Sequence, residues 1–158
     1  MRVAALVALL ALAAPAVAAP PPRGTPKADH LAGGPGDNTI HALGGNDVVL
    51  GGPGADLILG GGGADRIKGG IGADDLLGNS GDDTLDGAAG PDVLKGGADA
   101  DKLLGGTGRD ELYGGEGDDR LYARDGREDL VDCGAGNDTA YVDATEDGVL
   151  DCERVVGP

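Results

Sequence analysis

The stretch GGPGADLILGGGGADRIKGG at residues 51–70 contains one nine-residue phrase twice. Each copy combines closely spaced glycines with one aspartate and one aliphatic residue, first Asp56 and Ile58 and then Asp65 and Ile67. A phrase that recurs at a fixed short period builds one structural unit per copy, and stacked units bury surface that a single unit cannot. The stretch therefore predicts a stacked, repetitive fold in which the aspartate and the aliphatic residue each have a fixed place.

The nine-residue phase holds without a slip from Gly33 to Tyr122, which gives ten repeats. The eighth position is aliphatic in every repeat: Ile40, Val49, Ile58, Ile67, Leu76, Leu85, Leu94, Leu103, Leu112 and Leu121. The sixth position is asparagine in the first repeat and aspartate in the others: Asn38, Asp47, Asp56, Asp65, Asp74, Asp83, Asp92, Asp101, Asp110 and Asp119. Chance does not maintain two such positions over ten copies, so both have a structural or chemical role.

The period also predicts the backbone of each repeat. Glycine adopts φ > 0 without a steric penalty, so we expect the first six positions to form a glycine-rich turn. The last three positions then form a short strand, whose central aliphatic side chain faces the core while its neighbours face solvent. Non-glycine residues at glycine positions predict a distorted turn at Ala42 and Leu43, and φ > 0 at Ala88 and Asp99.

Composition and charge restrict the function classes. The 158 residues include 33 glycines and neither tryptophan nor phenylalanine, which excludes an ordinary core built around large aromatic anchors. Acidic residues number 28 against 12 basic ones, for a net charge of −16. Because nucleic acids and anionic membranes repel such a chain, neither is expected as a partner, whereas cations are favoured.

The regular aspartates indicate a calcium site. Stacked strands lie about 4.8 Å apart, and carboxylates at that spacing repel each other unless a cation lies between them. Ca²⁺ accepts six to eight oxygen ligands from carboxylates and backbone carbonyls, whereas Mg²⁺ requires a tighter octahedron and Zn²⁺ or copper prefer His or Cys. The alternative is that the aspartates only favour turns, but turn preference would also admit Asn, Ser and Gly at this position.

The pattern G-G-x-G-x-D-x-(aliphatic)-x resembles the haemolysin-type calcium-binding repeats, also called repeats-in-toxin (RTX), strictly over residues 33–122 and loosely to about Tyr141. The resemblance implies an all-β fold, a parallel β-roll in which two nonapeptides make one coil and successive strands alternate between two sheets. One sheet then carries Ile40, Ile58, Leu76, Leu94 and Leu112, and the other carries Val49, Ile67, Leu85, Leu103 and Leu121.

The resemblance also implies a ligand set for each calcium ion. The earlier loop supplies its Asp and the carbonyls of its second and fourth positions, and the loop eighteen residues later supplies its Asp and the carbonyls of its first and third positions. Four such sites comprise Gly52, Gly54 and Asp56 with Gly69, Ile71 and Asp74; Gly61, Gly63 and Asp65 with Gly78, Ser80 and Asp83; Gly70, Gly72 and Asp74 with Gly87, Ala89 and Asp92; and Asn79, Gly81 and Asp83 with Gly96, Ala98 and Asp101.

By the same rule Asp47, Asp110 and Asp119 are metal ligands too. Ten loops allow at most eight such pairs, and the departures from the pattern lower the expectation to about five to eight Ca²⁺ ions. Eight divalent ions would add +16 and nearly cancel the charge of −17 (11 basic and 28 acidic residues) that remains once the predicted signal peptide and its Arg2 are removed. Metal binding and folding are therefore expected to be coupled.

The N-terminus predicts an exported, extracellular protein. Arg2 precedes an apolar run, and Ala16-Val17-Ala18 fits a signal peptidase site, so residues 1–18 are expected to be a signal peptide. An N-terminal membrane anchor is the alternative, although the run is short for a span. Residues 19–32 are rich in proline and predict a lead or linker.

The C-terminal segment, residues 123–158, predicts degenerate repeats that cap the roll. Residues 124–132 and 133–141 fit the template if Ala123 is an insertion. In an exported chain, Cys133 and Cys152 are expected to form a disulfide that pins the cap, rather than a redox pair. A faint EF-hand pattern at 143–154 has Arg154 where the loop requires glutamate.

No catalytic pattern accompanies the repeats. Ser80 is the only serine and lies in a repeat loop, and His30 and His41 belong to no HExxH motif. The sequence therefore predicts a non-enzymatic, secreted calcium-binding protein with a structural or surface role. A cell-surface adhesion, matrix-interaction or ice-binding protein is the alternative; an ice-binding surface would need a regular outward rank of Thr or Asn, which is absent. An undetected hydrolase is the remaining class.

Overall fold

A computed structural model of the protein describes residues 22–143 and 147–157. The predicted signal peptide, residues 1–18, lies outside the described residues. Every regular element in the described part of the chain is a β-strand. Accordingly, none of the described segments is a helix that is long and apolar enough to cross a membrane.

The strands form two parallel sheets, and each strand pairs with the strand two places along the chain. The seven-stranded sheet contains β2 (Thr39–Gly44), β4 (Leu57–Gly62), β6 (Asp75–Ser80), β8 (Val93–Ala98), β10 (Glu111–Glu116), β12 (Leu130–Ala135) and β14 (Gly148–Leu150). The eight-stranded sheet contains β1 (His30–Ala32), β3 (Val48–Pro53), β5 (Arg66–Ile71), β7 (Thr84–Ala89), β9 (Lys102–Thr107), β11 (Arg120–Ala123), β13 (Thr139–Val142) and β15 (Arg154–Val156). The predicted parallel β-roll, with two repeats per coil, is confirmed.

The core is a double row of eighth-position side chains. All ten are buried, and each lies in register with the eighth position of the next layer, as Ile58 does with Leu76 and Ile67 with Leu85. Their division between the two sheets is the predicted one. Val131 and Ala140 extend the two rows into the C-terminal segment. Because each layer buries only one such residue per sheet, truncating one to alanine is expected to cost about 2–5 kcal/mol.

The strands are longer than predicted. β4, for example, runs through Leu57–Gly62 and so includes the first three positions of the next repeat. Positive φ falls only at the second and fourth positions, as at Gly52 and Gly54 (φ 123° and 138°), whereas Gly51 at the first position stays in the sheet and is buried. The prediction of a six-residue turn and a three-residue strand was therefore wrong, because the first glycine has a different role, described below.

Four non-glycine residues adopt φ > 0 where the repeat has glycine: Leu43 (81°), Asn79 (80°), Ala88 (77°) and Asp99 (78°). The prediction for Ala88 and Asp99 is confirmed. The turn at Leu43 is not distorted, because Leu43 pairs in register with Gly61 of the next layer. Neighbouring layers thus impose the repeat geometry on residues that disfavour it, at a local cost of about 1–2 kcal/mol each.

The lead preceding the repeats is part of the roll rather than a linker in its described portion. β1 pairs with β3, and the N–H of Gly24 donates to the carbonyl of His41 at 2.8 Å. The N–H of Asp29 also donates to Oδ1 of Asp47 at 2.7 Å. This segment lacks the glycine-rich repeat sequence yet forms the first layer. It does so because the next layer has backbone groups that it can pair with and the carboxylate of Asp47.

The C-terminal segment continues both sheets. Ala123 was predicted to be the inserted residue, but it occupies the first repeat position in β11 and pairs with Val142, so the extra residue lies in the turn that follows. The Cys133–Cys152 disulfide is confirmed; it joins buried β12 to the loop before β15, with Cα atoms 5.1 Å apart. Closing a loop of this length contributes about 3 kcal/mol.

Candidate metal centre

The sixth-position aspartates form two ladders, one along each edge of the roll. One carboxylate oxygen, Oδ1, of each aspartate accepts the backbone N–H of the sixth-position residue one coil earlier. Asp74 accepts in this way from Asp56, and Asp83 from Asp65, at 2.8 and 2.7 Å. The contact recurs along both edges and fixes each aspartate against the layer before it.

The second carboxylate oxygen of these aspartates has no partner. Oδ2 is buried and makes no hydrogen bond in Asp47, Asp56, Asp65, Asp74, Asp83, Asp92, Asp101, Asp110, Asp119, Asp129 and Asp138. A buried polar atom without a partner costs about 1–3 kcal/mol, and more when it is charged. A turn-forming role explains Oδ1 but leaves Oδ2 unexplained, so the ladders require either protons or cations.

The surroundings of the carboxylates disfavour their charged form. Burial is the largest cause that raises the pKa of Asp83, Asp92 and Asp101 from 3.8 to about 7, and neighbouring ladder carboxylates add to it. Burial likewise raises the pKa of Asp129 to about 7 and that of Asp119 to about 6. Carboxylates that resist ionisation in this way gain most from a nearby cation.

The first-position glycine leaves room for the orphaned oxygen. A Cβ on Gly87 would lie 2.5 Å from Oδ2 of Asp92 and 2.6 Å from the carbonyl oxygen of Gly105, one coil later. A Cβ on Gly60 would meet Asp65 in the same way. Glycine is favoured here by the space that the carboxylate occupies, and not by positive φ as the sequence suggested; the second repeat accommodates Ala42 at the same position.

The same glycines show that predicted ligands converge. Near Gly60, Oδ2 of Asp65 and the carbonyl oxygen of Gly78 approach one point, and both belong to one predicted site. The carbonyls of the second and fourth positions are directed towards the next layer, since a Cβ on Gly52 would lie 2.5 Å from the oxygen of Gly34. Near Gly51, Gly60, Gly78, Gly87 and Gly96, an Oδ2 and a carbonyl oxygen of the next layer thus approach the same point.

The third-position carbonyls are already hydrogen-bonded. Ile71, Ser80 and Ala89 accept the N–H groups of Gly54, Gly63 and Gly72 at 2.8, 2.9 and 2.9 Å. A carbonyl oxygen has two lone pairs, so each keeps one for a cation. In the described residues, no group of three or more His, Cys, Asp or Glu side chains is placed to hold a metal ion by itself. A cation here would therefore depend on carbonyls as well as on carboxylates, which is the preference of Ca²⁺.

Asn38 shows where a cation fits. Its side-chain nitrogen donates to the carbonyls of Gly34 and Gly36 and lies 3.2 Å from Oδ1 of Asp56. These three accepting oxygen atoms belong to the ligand set expected for the first pair of loops. A positively polarised N–H₂ group converges on them, so the oxygen atoms of this layer are arranged to receive positive charge.

Sequence analysis missed some members of the ladders. Asp29 and Asp147 lie eighteen residues from Asp47 and Asp129 and could have been found by extending the period. Glu153 accepts the N–H of Asp138 at 2.9 Å from only fifteen residues away, and no signal in the sequence marks it. Thr25 donates to Asp29 and closes one ladder at the N-terminal end.

Comparison with known proteins agrees with this geometry. The profile of the RTX calcium-binding nonapeptide repeat family matches residues 23–58, 59–94, 77–110 and 95–127. No curated protein matches the chain. The matched repeats cover most of both sheets and most of both aspartate ladders. The chain therefore belongs to the RTX calcium-binding nonapeptide repeat family, and it is a calcium-binding structural repeat protein.

Proposed function

We propose that this protein is secreted, binds about five to eight Ca²⁺ ions along the two edges of its roll, and has a structural or surface role without catalysis. The single observation that carries the proposal is the run of eleven buried Oδ2 atoms that lack a partner. Calcium, when bound, supplies the positive charge that these oxygen atoms require. The residues that hold it are the aspartates of two successive layers together with the carbonyls of their loops.

The number of ions follows from the layers. Each ion takes one carboxylate from each of two layers, so an interior aspartate such as Asp83 serves two ions. The Asn38 amide already occupies part of the first ligand set, which favours a number below the maximum of eight pairs. The expected total remains five to eight.

Folding is expected to depend on the ions. The chain carries a net charge of −16, and its compact form brings the aspartates of each edge to within one strand spacing of each other. The unfolded chain relieves this repulsion and does not preserve the two-layer ligand sets. Calcium therefore binds the folded state preferentially and stabilises it.

Secretion is supported by two independent features. The N-terminal sequence has the three parts of a signal peptide. The Cys133–Cys152 disulfide at the other end is of a kind that persists in oxidising compartments and is rare in reducing ones. Extracellular calcium is also abundant enough to occupy sites of modest affinity.

The test is a far-UV circular dichroism titration of residues 19–158 with Ca²⁺, and with Mg²⁺ as the control. We expect a cooperative gain of β-structure with calcium alone. A chain that is fully β-structured in chelator and unaffected by calcium would contradict the coupling. Secretion is tested separately by following the full chain into the medium of an expressing cell, with the Ala16→Arg and Ala18→Arg double variant as the uncleaved control.

A further inference from the structure

The outward-facing seventh positions of the eight-stranded sheet carry only basic or hydroxyl side chains on six successive strands. We name this set the basic rank: Arg66, Thr84, Lys102, Arg120, Thr139 and Arg154. The pairing register places each member beside the next, so the rank runs straight along the roll axis. Five strand intervals give it a length of about 24 Å.

The opposite sheet has no such rank. Its seventh positions read Thr39, Leu57, Asp75, Val93, Glu111 and Leu130, which are apolar, hydroxyl or acidic. The charges are therefore segregated within the net charge of −16: the ladder aspartates lie along the two edges, while the outward strand positions of this face carry the four cations of the rank and Lys68 against the carboxylate of Asp86. Nothing in the repeat requires this difference, since the seventh position is free to vary.

The cations of the basic rank form no ion pair with another described residue and can therefore bind a ligand. Among the described residues, the two ion pairs are Lys68–Asp86 and Arg109–Glu128, and neither includes a member of the rank. Arg66, Lys102, Arg120 and Arg154 are all exposed.

A pair of tyrosines fixes part of this face. The rings of Tyr122 and Tyr141 stack with centroids 4.6 Å apart. The Lys102 ammonium lies 5.3 Å from the first ring centroid and the Arg124 guanidinium 5.5 Å from the second. Each cation is thereby held against an aromatic face, which reduces the entropy that ordering it on a ligand would cost.

We propose that the basic rank binds a linear polysaccharide that bears carboxylates, lying along the roll axis. Arginine guanidinium groups match carboxylates in bidentate geometry, and the interleaved Thr84 and Thr139 hydroxyls suit sugar hydroxyl groups. The inference rests on the proposed calcium-bound roll and gives its surface role a partner.

A thin chain fits the charge distribution better than a nucleic acid does. Duplex DNA carries one negative charge per about 1.7 Å, whereas the rank offers four cations over its whole length. A broad duplex would also approach the acidic edges on both sides and be repelled by them. A single polysaccharide strand with well-spaced carboxylates is narrow enough to contact the basic rank without approaching the acidic edges.

The test measures binding of sodium hyaluronate to the calcium-loaded protein by isothermal titration calorimetry. The triple variant Arg66→Gln, Lys102→Gln and Arg120→Gln removes three charges from the rank. The matched control, Lys95→Gln, Arg109→Gln and Arg127→Gln, removes three charges elsewhere. We expect at least about tenfold weaker binding for the first variant and little change for the second, and weaker binding of the wild type as salt rises.

Three results would overturn the proposal: absence of hyaluronate binding by the wild type, equal loss in both triple variants, or binding of single-stranded DNA as tight as that of hyaluronate. Neutral dextran serves as the uncharged control and is expected not to bind. Circular dichroism of the same calcium-loaded samples separates a chain that failed to fold from a folded roll that does not bind.

Discussion

The side-chain nitrogen of Asn38 lies 3.2 Å from Oδ1 of Asp56, one layer further along the roll. The same nitrogen donates to two carbonyls of its own loop, those of Gly34 and Gly36. Every later repeat has an aspartate at this position, and every one of those aspartates has a buried Oδ2 without a partner. The asparagine therefore supplies, within the chain, positive polarity to Oδ1 of Asp56 and to two carbonyls of its loop, while Oδ2 of Asp56 stays without a partner, as in the other layers.

Replacing this asparagine tests the interpretation by gain of function. Asn38→Asp removes the N–H₂ group and adds a carboxylate, so we expect one additional calcium ion per chain and a less stable metal-free state. Native mass spectrometry in calcium counts the ions. The control is Asn46→Asp, which adds the same charge on the exposed part of a loop and keeps the oxygen that accepts the N–H of Ala64. An equal ion count for wild type and Asn38→Asp would refute the assignment.

Removing one interior carboxylate should affect two ions at once. Asp83→Asn keeps the oxygen that accepts the N–H of Asp65 but loses the charge shared between two layers. We expect a loss of up to two ions and a several-fold higher calcium midpoint for folding. Asp82→Asn is the matched control, because Asp82 is exposed and its side chain only accepts the N–H of Ala100. Equal effects of the two substitutions would show that net charge alone governs folding.

Two adjacent positions should respond to substitution with opposite signs. Gly87→Ala places a Cβ against Oδ2 of Asp92, so we expect a loss of about 1–3 kcal/mol in the free energy of unfolding. Ala88→Gly relieves a residue held at φ 77°, so we expect a gain of about 1 kcal/mol. Urea denaturation in saturating calcium measures both. A neutral Gly87→Ala would mean that the carboxylate does not occupy this space.

The metal-free roll should be more stable in mild acid than at neutral pH. Burial is the main cause that raises the pKa of Asp83, Asp92 and Asp101 from 3.8 to about 7. The folded state then holds protons that the unfolded chain releases between pH 3.8 and about 7, so the free energy of unfolding falls as pH rises through that window.

Circular dichroism of calcium-free protein between about pH 4.5 and 7.5 measures this dependence. We expect β-structure to decrease as pH rises without calcium and to be restored at neutral pH by calcium, which binds the ionised carboxylates. A calcium-free chain that gains β-structure as pH rises would show that the ladder carboxylates are stable when charged.

The period made most of the fold predictable. One aliphatic residue every nine positions, in strict phase with the glycines and the aspartate, places Ile58 and Leu76 in the same row of the core. The roles of the glycines were only partly predictable, because Gly52 and Gly51 look alike in the sequence. Gly52 is needed for its positive φ, whereas Gly51 is needed for the space beside the carboxylate of Asp56. Only the position of that carboxylate distinguishes the two glycines.

The repeat predicted a C-terminal cap of degenerate repeats, but it did not predict the pairing at the ends of the roll or the basic face. Ala123 pairs with Val142 of the following layer, and Glu153 accepts the N–H of Asp138 in the preceding layer; these contacts compensate for a broken phrase. The nine-residue period does not reveal the basic rank, because successive repeats belong to alternate sheets. Eighteen-residue spacing is needed to see Arg66, Thr84 and Lys102 as neighbours.

The most direct test of calcium-coupled folding is to count bound calcium ions by native mass spectrometry while following β-structure by circular dichroism across one calcium titration. We expect about five to eight ions to bind over the same narrow concentration range in which the β-structure appears. Complete β-structure before any ion is bound, or folding accompanied by only one or two ions, would contradict the claim that calcium fills the aspartate ladders.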